Sequence, residues 1–232
     1  MKAEKRSFFA LAARGSLPWV LGIGGLMTAA EPILFRLLGW KSEALEFAVR
    51  DASLYLVFLL ALVNLIVALC NRSTLGAGRE TLQKLRLDGR AQFRILAAQN
   101  ALCAGMLWAW QAVLAVLLCL WWGRAHPDAM GAHTIYIAFY RVSFLHALLP
   151  LGSWLLWVRN VIFCAVIGVS TAKAALTREK IGPLVVCCIG AAFWPAGMGT
   201  EILILIEIAF LLFCGWVSWA FGRDAIDQAE EE

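Results

Sequence analysis

The chain of 232 residues alternates long apolar stretches with short polar segments. Six of these stretches are long enough to cross the ~30 Å hydrocarbon layer of a bilayer as helices of roughly 20 residues. Membrane β-strands would need only about ten residues each and would alternate apolar with polar side chains, which these stretches do not. The pattern predicts an all-α polytopic membrane protein with six transmembrane helices at residues 18–39, 52–71, 96–122, 152–172, 183–199 and 201–221.

Three segments outside these helices are predicted to lie at the membrane surfaces. Residues 1–17 are expected to form an amphipathic helix at the inner surface, and residues 222–232 a short, acidic, frayed cytosolic tail. Residues 126–150 are apolar but are interrupted by charged and titratable side chains, among them Arg141. We therefore expect an outer interfacial or re-entrant helix before the fourth span rather than a seventh crossing.

Composition excludes a separate soluble domain. The mean hydropathy is +0.76 and only 16% of the residues are charged, against about a quarter in soluble domains. Residues 1–232 are therefore assigned to a single transmembrane domain. In it, residues 18–71 hold spans 1 and 2, residues 72–95 form a cytosolic segment, and residues 152–221 hold spans 4 to 6.

The placement of basic residues predicts the orientation of the chain. With the N-terminus in the cytosol, most of the 20 Lys and Arg residues fall in cytosolic segments, as the positive-inside rule requires. A crossing at 133–149 would move the basic segment "KAALTREK" outside and would weaken this bias. We therefore expect a multi-pass protein of the plasma membrane with both termini in the cytosol.

Motifs that carry enzymatic chemistry are missing from the sequence. It contains no phosphate-binding GxxxxGK[ST] loop, no HExxH and no GxSxG. The seven cysteines lie in or at the ends of apolar stretches and form neither a CxxC pair nor a Cys/His cluster. We predict no catalytic residue, no metal site, no cofactor and no nucleic-acid partner.

A few polar side chains lie within the predicted spans. A charge in hydrocarbon costs about 2.5–3.5 kcal/mol on insertion scales, so each needs a partner, a cavity or a nearby interface. One interpretation is a translocation path or gate. The other, which we favour, is a set of contacts between helices in which Arg159 pairs with Glu207 or Glu31. The residues concerned are Glu31, Asn64, Arg159, Asn160 and Glu207.

One long basic segment, "GRETLQKLRLDGRAQF" at residues 78–93, separates spans 2 and 3. Its leucines and basic residues predict a short helix with one apolar and one basic edge. Asp88 and Gly89 then break this helix, and a long helix resumes into span 3. A plain positive-inside loop would not show this order, but an amphipathic helix lying on anionic lipid would.

Two stretches resemble permease subunits of six-span, type-2 ABC exporters, in particular a bacterial branch found chiefly in Firmicutes. They are "TLQKLRLDGRAQFRILAAQNAL" at residues 81–102 and "FLHALLPLGSWLLWVRN" at residues 144–160. The order of a basic N-terminal helix, a cytosolic helix after span 2 and six spans is similar as well. The chain departs from many relatives, whose outer re-entrant helices lie between spans 5 and 6 rather than before span 4.

The resemblance implies the roles of several segments. Residues 74–93 would be a coupling helix that docks on a separate ATPase subunit, and residues 1–17 a connecting helix. Two permease subunits, identical or homologous, would enclose the substrate path within the membrane lipid. The residues expected to contact the ATPase are Arg79, Leu82, Lys84, Leu85, Arg86, Leu87 and Arg90.

The expected function is therefore that of a non-catalytic permease subunit of an ABC exporter, with ATP hydrolysis on a partner chain. An ATP-independent secondary transporter or channel is the first alternative, but the polar residues within the spans are few for a pore lining. A membrane assembly or sensor subunit that transports nothing is the second alternative.

Overall fold

The structure is a computed structural model that describes residues 2–71, 88–131, 133–177, 181–193 and 201–231. Every regular element in these ranges is helical. A π-helical turn, Phe35–Gly39, continues the first helix, and a 3₁₀ turn, Pro127–Ala129, follows the fourth. The helices are α1 Lys2–Leu34, α2 Leu45–Asp51, α3 Leu54–Asn71, α4 Gly89–Ala125, α5 Thr134–Arg141, α6 Ser143–Leu148, α7 Trp154–Thr177, α8 Ile181–Phe193 and α9 Glu201–Glu231.

Five stretches of helix within the described ranges are long and apolar enough to cross a membrane. Many large hydrophobic side chains lie on the outside of the bundle, as expected where the surroundings are hydrocarbon. The prediction of an all-α polytopic membrane protein is confirmed at this level. The five stretches are Ser7–Gly39, Leu54–Asn71, Gly89–Ala125, Trp154–Ala175 and Glu201–Asp224.

The predicted fifth span, residues 183–199, is described only in part. Helix α8 has 13 residues, about 20 Å, which is shorter than the hydrocarbon layer. Residues 194–199 lie outside the described ranges, so this crossing stays a prediction.

The N-terminal segment differs from expectation because it does not form a helix of its own. Helix α1 continues without a break through residue 17 and through Pro18 to Leu34. Phe8, Ala12 and Ser16, spaced four residues apart, are buried, and Val20 extends the same stripe beyond the proposed boundary. From Phe8 onward, one face of the helix thus packs on the bundle, which explains why this segment does not separate from span 1. The tail differs too, since α9 remains helical to Glu231.

Two hydrogen bonds show that α1 and α4 run in the same direction. Near the start of α4, Gln99 Nε2 donates to Ser16 Oγ at 3.2 Å. Further along, Trp110 Nε1 donates to Thr28 Oγ1 at 3.0 Å. Between these two contacts the residue numbers of α1 and α4 increase in the same direction. Helix α3, which contacts both of them, connects the end of α1 with the start of α4.

Helix α7 runs antiparallel to α4 and lies against its other side. Asn100 Nδ2 donates to Thr171 Oγ1 at 3.0 Å, and the rings of Trp108 and Trp157 meet at 5.5 Å. Residues further along α4 thus contact residues nearer the start of α7, so the two helices run in opposite directions. Helix α4 therefore lies in the middle of the described bundle, between α1 and α7.

Helices α7 and α9 run parallel, although they follow one another among the long helices. Arg159 pairs with Glu207, and Ser170 Oγ lies 3.0 Å from Ser218 Oγ. From 159 to 170 and from 207 to 218 the two helices advance by the same number of residues. The chain between them must therefore return from the end of α7 to the level of its start. Helix α8 runs in that direction, since Gly190 lies against the Phe163 ring, halfway along α7.

The region 126–150 contains two short helices, of eight and six residues, and neither is long enough to cross a membrane. Val142 has an extended conformation and separates α5 from α6. Arg141 forms an ion pair with Glu46 of α2 at 3.4 Å, and Phe144 contacts Tyr55 of α3. The expected single helix is thus two helices, of which α5 contacts α2 and α6 contacts α4.

Candidate functional site

A buried ion pair joins α7 and α9. Arg159 Nη1 lies 3.4 Å from Glu207 Oε2, and the two side chains are only 1% and 8% exposed. Of the two acidic partners considered from the sequence, Glu207 is therefore the one that Arg159 contacts. In this apolar setting each charge depends on the other, because an isolated buried charge is costly.

Asn160 extends this ion pair into a network with α6. Its Oδ1 accepts hydrogen bonds from Arg159 Nε at 3.3 Å and from Arg159 Nη2 at 3.0 Å. Its Nδ2 donates to the Ala147 carbonyl at 2.8 Å. The guanidinium is thus held by Glu207 and Asn160 together, and the same asparagine fixes the end of α6. This polar network joins α6, α7 and α9.

The C-terminal end of α6 is held by two further donors. Trp108 Nε1 donates to the Leu148 carbonyl at 3.0 Å, and Trp157 Nε1 donates to the Pro150 carbonyl at 2.8 Å. The last carbonyls of a helix have no partners within the helix, so a buried helix end needs such donors. Leu145 and Leu148 are fully buried, and the short helix is therefore a packed part of the bundle.

Glu31 is buried at a separate place, between α1 and α4. Its side chain is fully buried, and its carboxyl faces the amide of Gln111. Neither group has a hydrogen bond of ordinary geometry within the described chain. No basic residue of the described ranges forms an ion pair with Glu31. This buried acid is thus not part of the network around Arg159.

Asn64 is also separate from the other polar residues predicted from the sequence. Its side chain is exposed on the surface of α3, and its Nδ2 donates to the Leu60 carbonyl of the same helix at 2.8 Å. The Asn64 amide thus has a hydrogen-bond partner in its own helix and needs none from a second helix. Of the five residues proposed from the sequence, the structure therefore brings Arg159, Asn160 and Glu207 together and leaves Glu31 and Asn64 apart.

Most of the residues expected to contact an ATPase cannot be placed. Arg79, Leu82, Lys84, Leu85, Arg86 and Leu87 lie outside the described residues. Arg90 is described and is exposed in the first turn of α4, where its backbone N–H donates to Asp88 Oδ1 at 3.3 Å. Asp88 is the N-cap of α4, so the predicted start of one long helix at this point is confirmed. The helix predicted before Asp88 lies outside the described residues.

Sequence reasoning missed three amide side chains of α4. Gln99 bonds α1 and Asn100 bonds α7, as described above, while Gln111 lies beside Glu31. All three are buried. They are the amide residues of the predicted third span, and a buried amide in a membrane helix needs a partner, which was the available signal. Our interpretation of the sequence considered the charged residues and Asn64 but not these amides.

The polar groups of the described bundle are divided into separate places by apolar side chains. The network around Arg159 joins α6, α7 and α9. The pair of Glu31 and Gln111 lies between α1 and α4, as Gln99 does nearer the start of α4, whereas Asn100 bonds α7. The described residues contain no group of three His, Cys, Asp or Glu side chains that could hold a metal ion. The geometry fits fastening of helices to one another, which was the favoured interpretation.

No protein-family model matches the chain, and no curated protein or solved structure is significantly similar to it.

Proposed function

We propose that this chain is the membrane-spanning permease subunit of an ABC exporter, acting with a second permease copy or homologue and driven by a separate ATPase. The observation that carries the proposal is the shape and position of α4. It is one unbroken helix of 37 residues, about 55 Å long, and it begins at the Asp88 cap directly after the basic segment.

A helix in this position can transmit a movement from the basic segment to the bundle. Close to its start, α4 is hydrogen-bonded to α1 through Gln99 and to α7 through Asn100. A displacement at Asp88 is therefore delivered to two neighbouring spans within about three turns of helix. This arrangement suits a subunit that holds no ATP site of its own and receives its energy mechanically from a partner.

The directions of the helices support six crossings. Helices α7 and α9 are parallel, so we expect the chain between Thr177 and Glu201 to recross the layer that α7 crosses. Counting α8 and the residues after it as this crossing gives six spans and both termini on one side. Arg90, Arg94 and Arg223 lie at that same end, which supports a cytosolic location for it.

The separation of the buried polar groups supports a path formed by two subunits. A channel or secondary transporter within one chain needs a continuous polar lining, whereas Glu31 and Arg159 lie in different helix contacts. A path between two copies needs no such lining inside either copy. This observation also disfavours the alternative of an ATP-independent transporter made of a single chain.

The proposal is tested by purifying the chain from mildly solubilised membranes and identifying the bound proteins by mass spectrometry. We expect an ATP-binding subunit with a phosphate-binding loop to co-purify with the native chain. Replacing both Leu85 and Arg86 by Asp should reduce its yield at least tenfold, because an apolar contact is lost and a positive charge is reversed. Insertion of the variant into the membrane should be unchanged.

The matched control is Arg124→Asp, which reverses an exposed charge in the last turn of α4, at the far end from the basic segment. This control should retain the ATPase fully. A native chain that purifies without any ATP-binding subunit would refute the proposal, and would favour an assembly or sensor subunit. Equal retention by the Leu85/Arg86 variant would refute the role of the basic segment.

A further inference from the structure

A small pocket of about 130 Å³ lies where the start of α4 meets the end of α9. It is distinct from the buried polar network. Three arginines and two aromatic residues line it, from both helices. The lining residues are Arg90, Phe93, Arg94, Trp219 and Arg223.

The floor of the pocket is a fixed aromatic contact. Phe93 is only 1% exposed, and its ring meets that of Trp219 at 5.0 Å. Gly222 of α9 lies against the same ring, where a Cβ atom would come within 2.9 Å of Phe93 Cζ. The two helices therefore approach closely at this place because glycine has no side chain. The three guanidinium groups project from a rigid base.

The lining of the pocket is strongly positive. It contains three arginines, and the described residues that line it include no carboxylate. Among the residues whose side chains the structure describes, no ion pair involves Arg94 or Arg223. The Asp88 side chain accepts a hydrogen bond from the backbone N–H of Arg90. The positive charges around the pocket repel one another, and an anion bound between them is attracted to each of them. Guanidinium groups bind phosphate, like carboxylate, with two parallel hydrogen bonds, so phosphate is a well-matched anion for this pocket.

The pocket lies at the edge of the apolar layer. The apolar stretch of α4 begins at Ile95, directly after Arg94, and that of α9 ends at Gly222, directly before Arg223. Beside the pocket, Trp216 and Phe221 of α9 are 67% and 58% exposed. Exposed aromatic side chains at this depth are typical of the interface between headgroups and hydrocarbon. A ligand here meets positive charge on one side and apolar surface on the other.

We propose that this pocket binds the headgroup phosphate of an anionic phospholipid, whose acyl chains lie along the exposed face of α9. Basic pockets between transmembrane helices bind such headgroups because the charges and the apolar surface match the two parts of the lipid. Arg94 and Arg223 hold the phosphate from two helices, so the bound lipid fastens the start of α4 to the end of α9. The site does not depend on the proposed role in an ABC exporter.

The test uses the full chain purified in a neutral detergent. Phosphatidylglycerol and phosphatidylcholine with the same acyl chains are added in turn, and bound lipid is counted by native mass spectrometry while Tm is measured. We expect phosphatidylglycerol to bind and to raise Tm, and phosphatidylcholine to do neither. The double variant Arg94→Gln/Arg223→Gln should bind phosphatidylglycerol at least tenfold more weakly. Arg94→Gln alone should show an intermediate loss.

The matched control is Arg50→Gln/Arg124→Gln, which removes two exposed arginines at the opposite end of the bundle. It should bind phosphatidylglycerol as the native chain does. Equal weakening in both double variants would show a general charge effect and overturn the proposal. If inorganic phosphate alone raises Tm as much as phosphatidylglycerol does, the lipid assignment is overturned. If Arg94→Gln/Arg223→Gln binds phosphatidylglycerol as the native chain does but loses a co-purifying protein, the pocket is a protein contact. That outcome would overturn the proposal as well.

Discussion

Replacing Glu207 by Gln should destabilise the protein, because the buried Arg159 would then lose the carboxylate that it contacts. The two charges are 3.4 Å apart, and their side chains are 1% and 8% exposed. With an effective dielectric constant of about 20, their attraction is about 5 kcal/mol. Removing one partner of a buried pair typically costs about 3–5 kcal/mol. The amide keeps the volume of the side chain, so a cavity adds little to this loss.

The loss can be measured as a shift in Tm of the purified protein in detergent. For a chain of this size, 1 kcal/mol corresponds to about 2–4 °C, so Glu207→Gln should lower Tm by about 6–20 °C. Glu201→Gln is the matched control, since it makes the same chemical change at an exposed position of the same helix. It should change the stability by no more than about 0.5 kcal/mol.

A third variant distinguishes the effect of the two charges on stability from the effect of the packing of their side chains. Replacing both Arg159 and Glu207 by Met removes both charges and keeps an apolar contact, so much of the lost stability should return. If Glu207→Gln is no more destabilising than Glu201→Gln, the pair does not hold α7 against α9. The physical account given above would then be wrong.

Two other substitutions follow from the packing of α4. Gly168→Ala should lower the free energy of unfolding by about 1–3 kcal/mol, because the new Cβ would collide with the Ala97 carbonyl on α4. Gly105→Ala, which has open space around it, should not lower Tm. Equal effects of the two substitutions would contradict the close helix contact. Glu31→Gln should not lower Tm at pH 7, because the neutral amide can pair with Gln111 and removes a charge that would cost about 2.5–3.5 kcal/mol. A loss like that of Glu207→Gln would mean that Glu31 has a cationic partner.

The helical class could be predicted from the sequence because the bilayer imposes a local rule. Backbone groups in hydrocarbon must be satisfied within the segment, so about 20 apolar residues can only be a helix. The start of α4 was also a local feature, since Asp88 caps the helix that begins at Gly89. The extent of α1 could not be predicted locally, because it depends on the stripe that Phe8 and Ser16 bury against the rest of the bundle.

Partners and neighbours were decided by the tertiary structure. The cost of burying Arg159 shows from the sequence alone that it needs an acidic partner, but not whether Glu31 or Glu207 provides it. That choice depends on the parallel arrangement of α7 and α9, which places Glu207 level with Arg159. The same is true of Gln99 and Asn100, which are adjacent in the sequence but bond helices on opposite sides of α4.

The sequence by itself determined that the chain is helical, lies in a membrane and carries a few polar residues that need partners. Only the tertiary structure decided which helices are neighbours, and the physical reason is the solvent. Hydrocarbon is as apolar as the leucines that face another helix, so hydrophobicity does not distinguish the two faces of a span. Direction and register are fixed instead by a few hydrogen bonds, glycine contacts and ion pairs between residues far apart in the chain, such as Arg159 and Glu207.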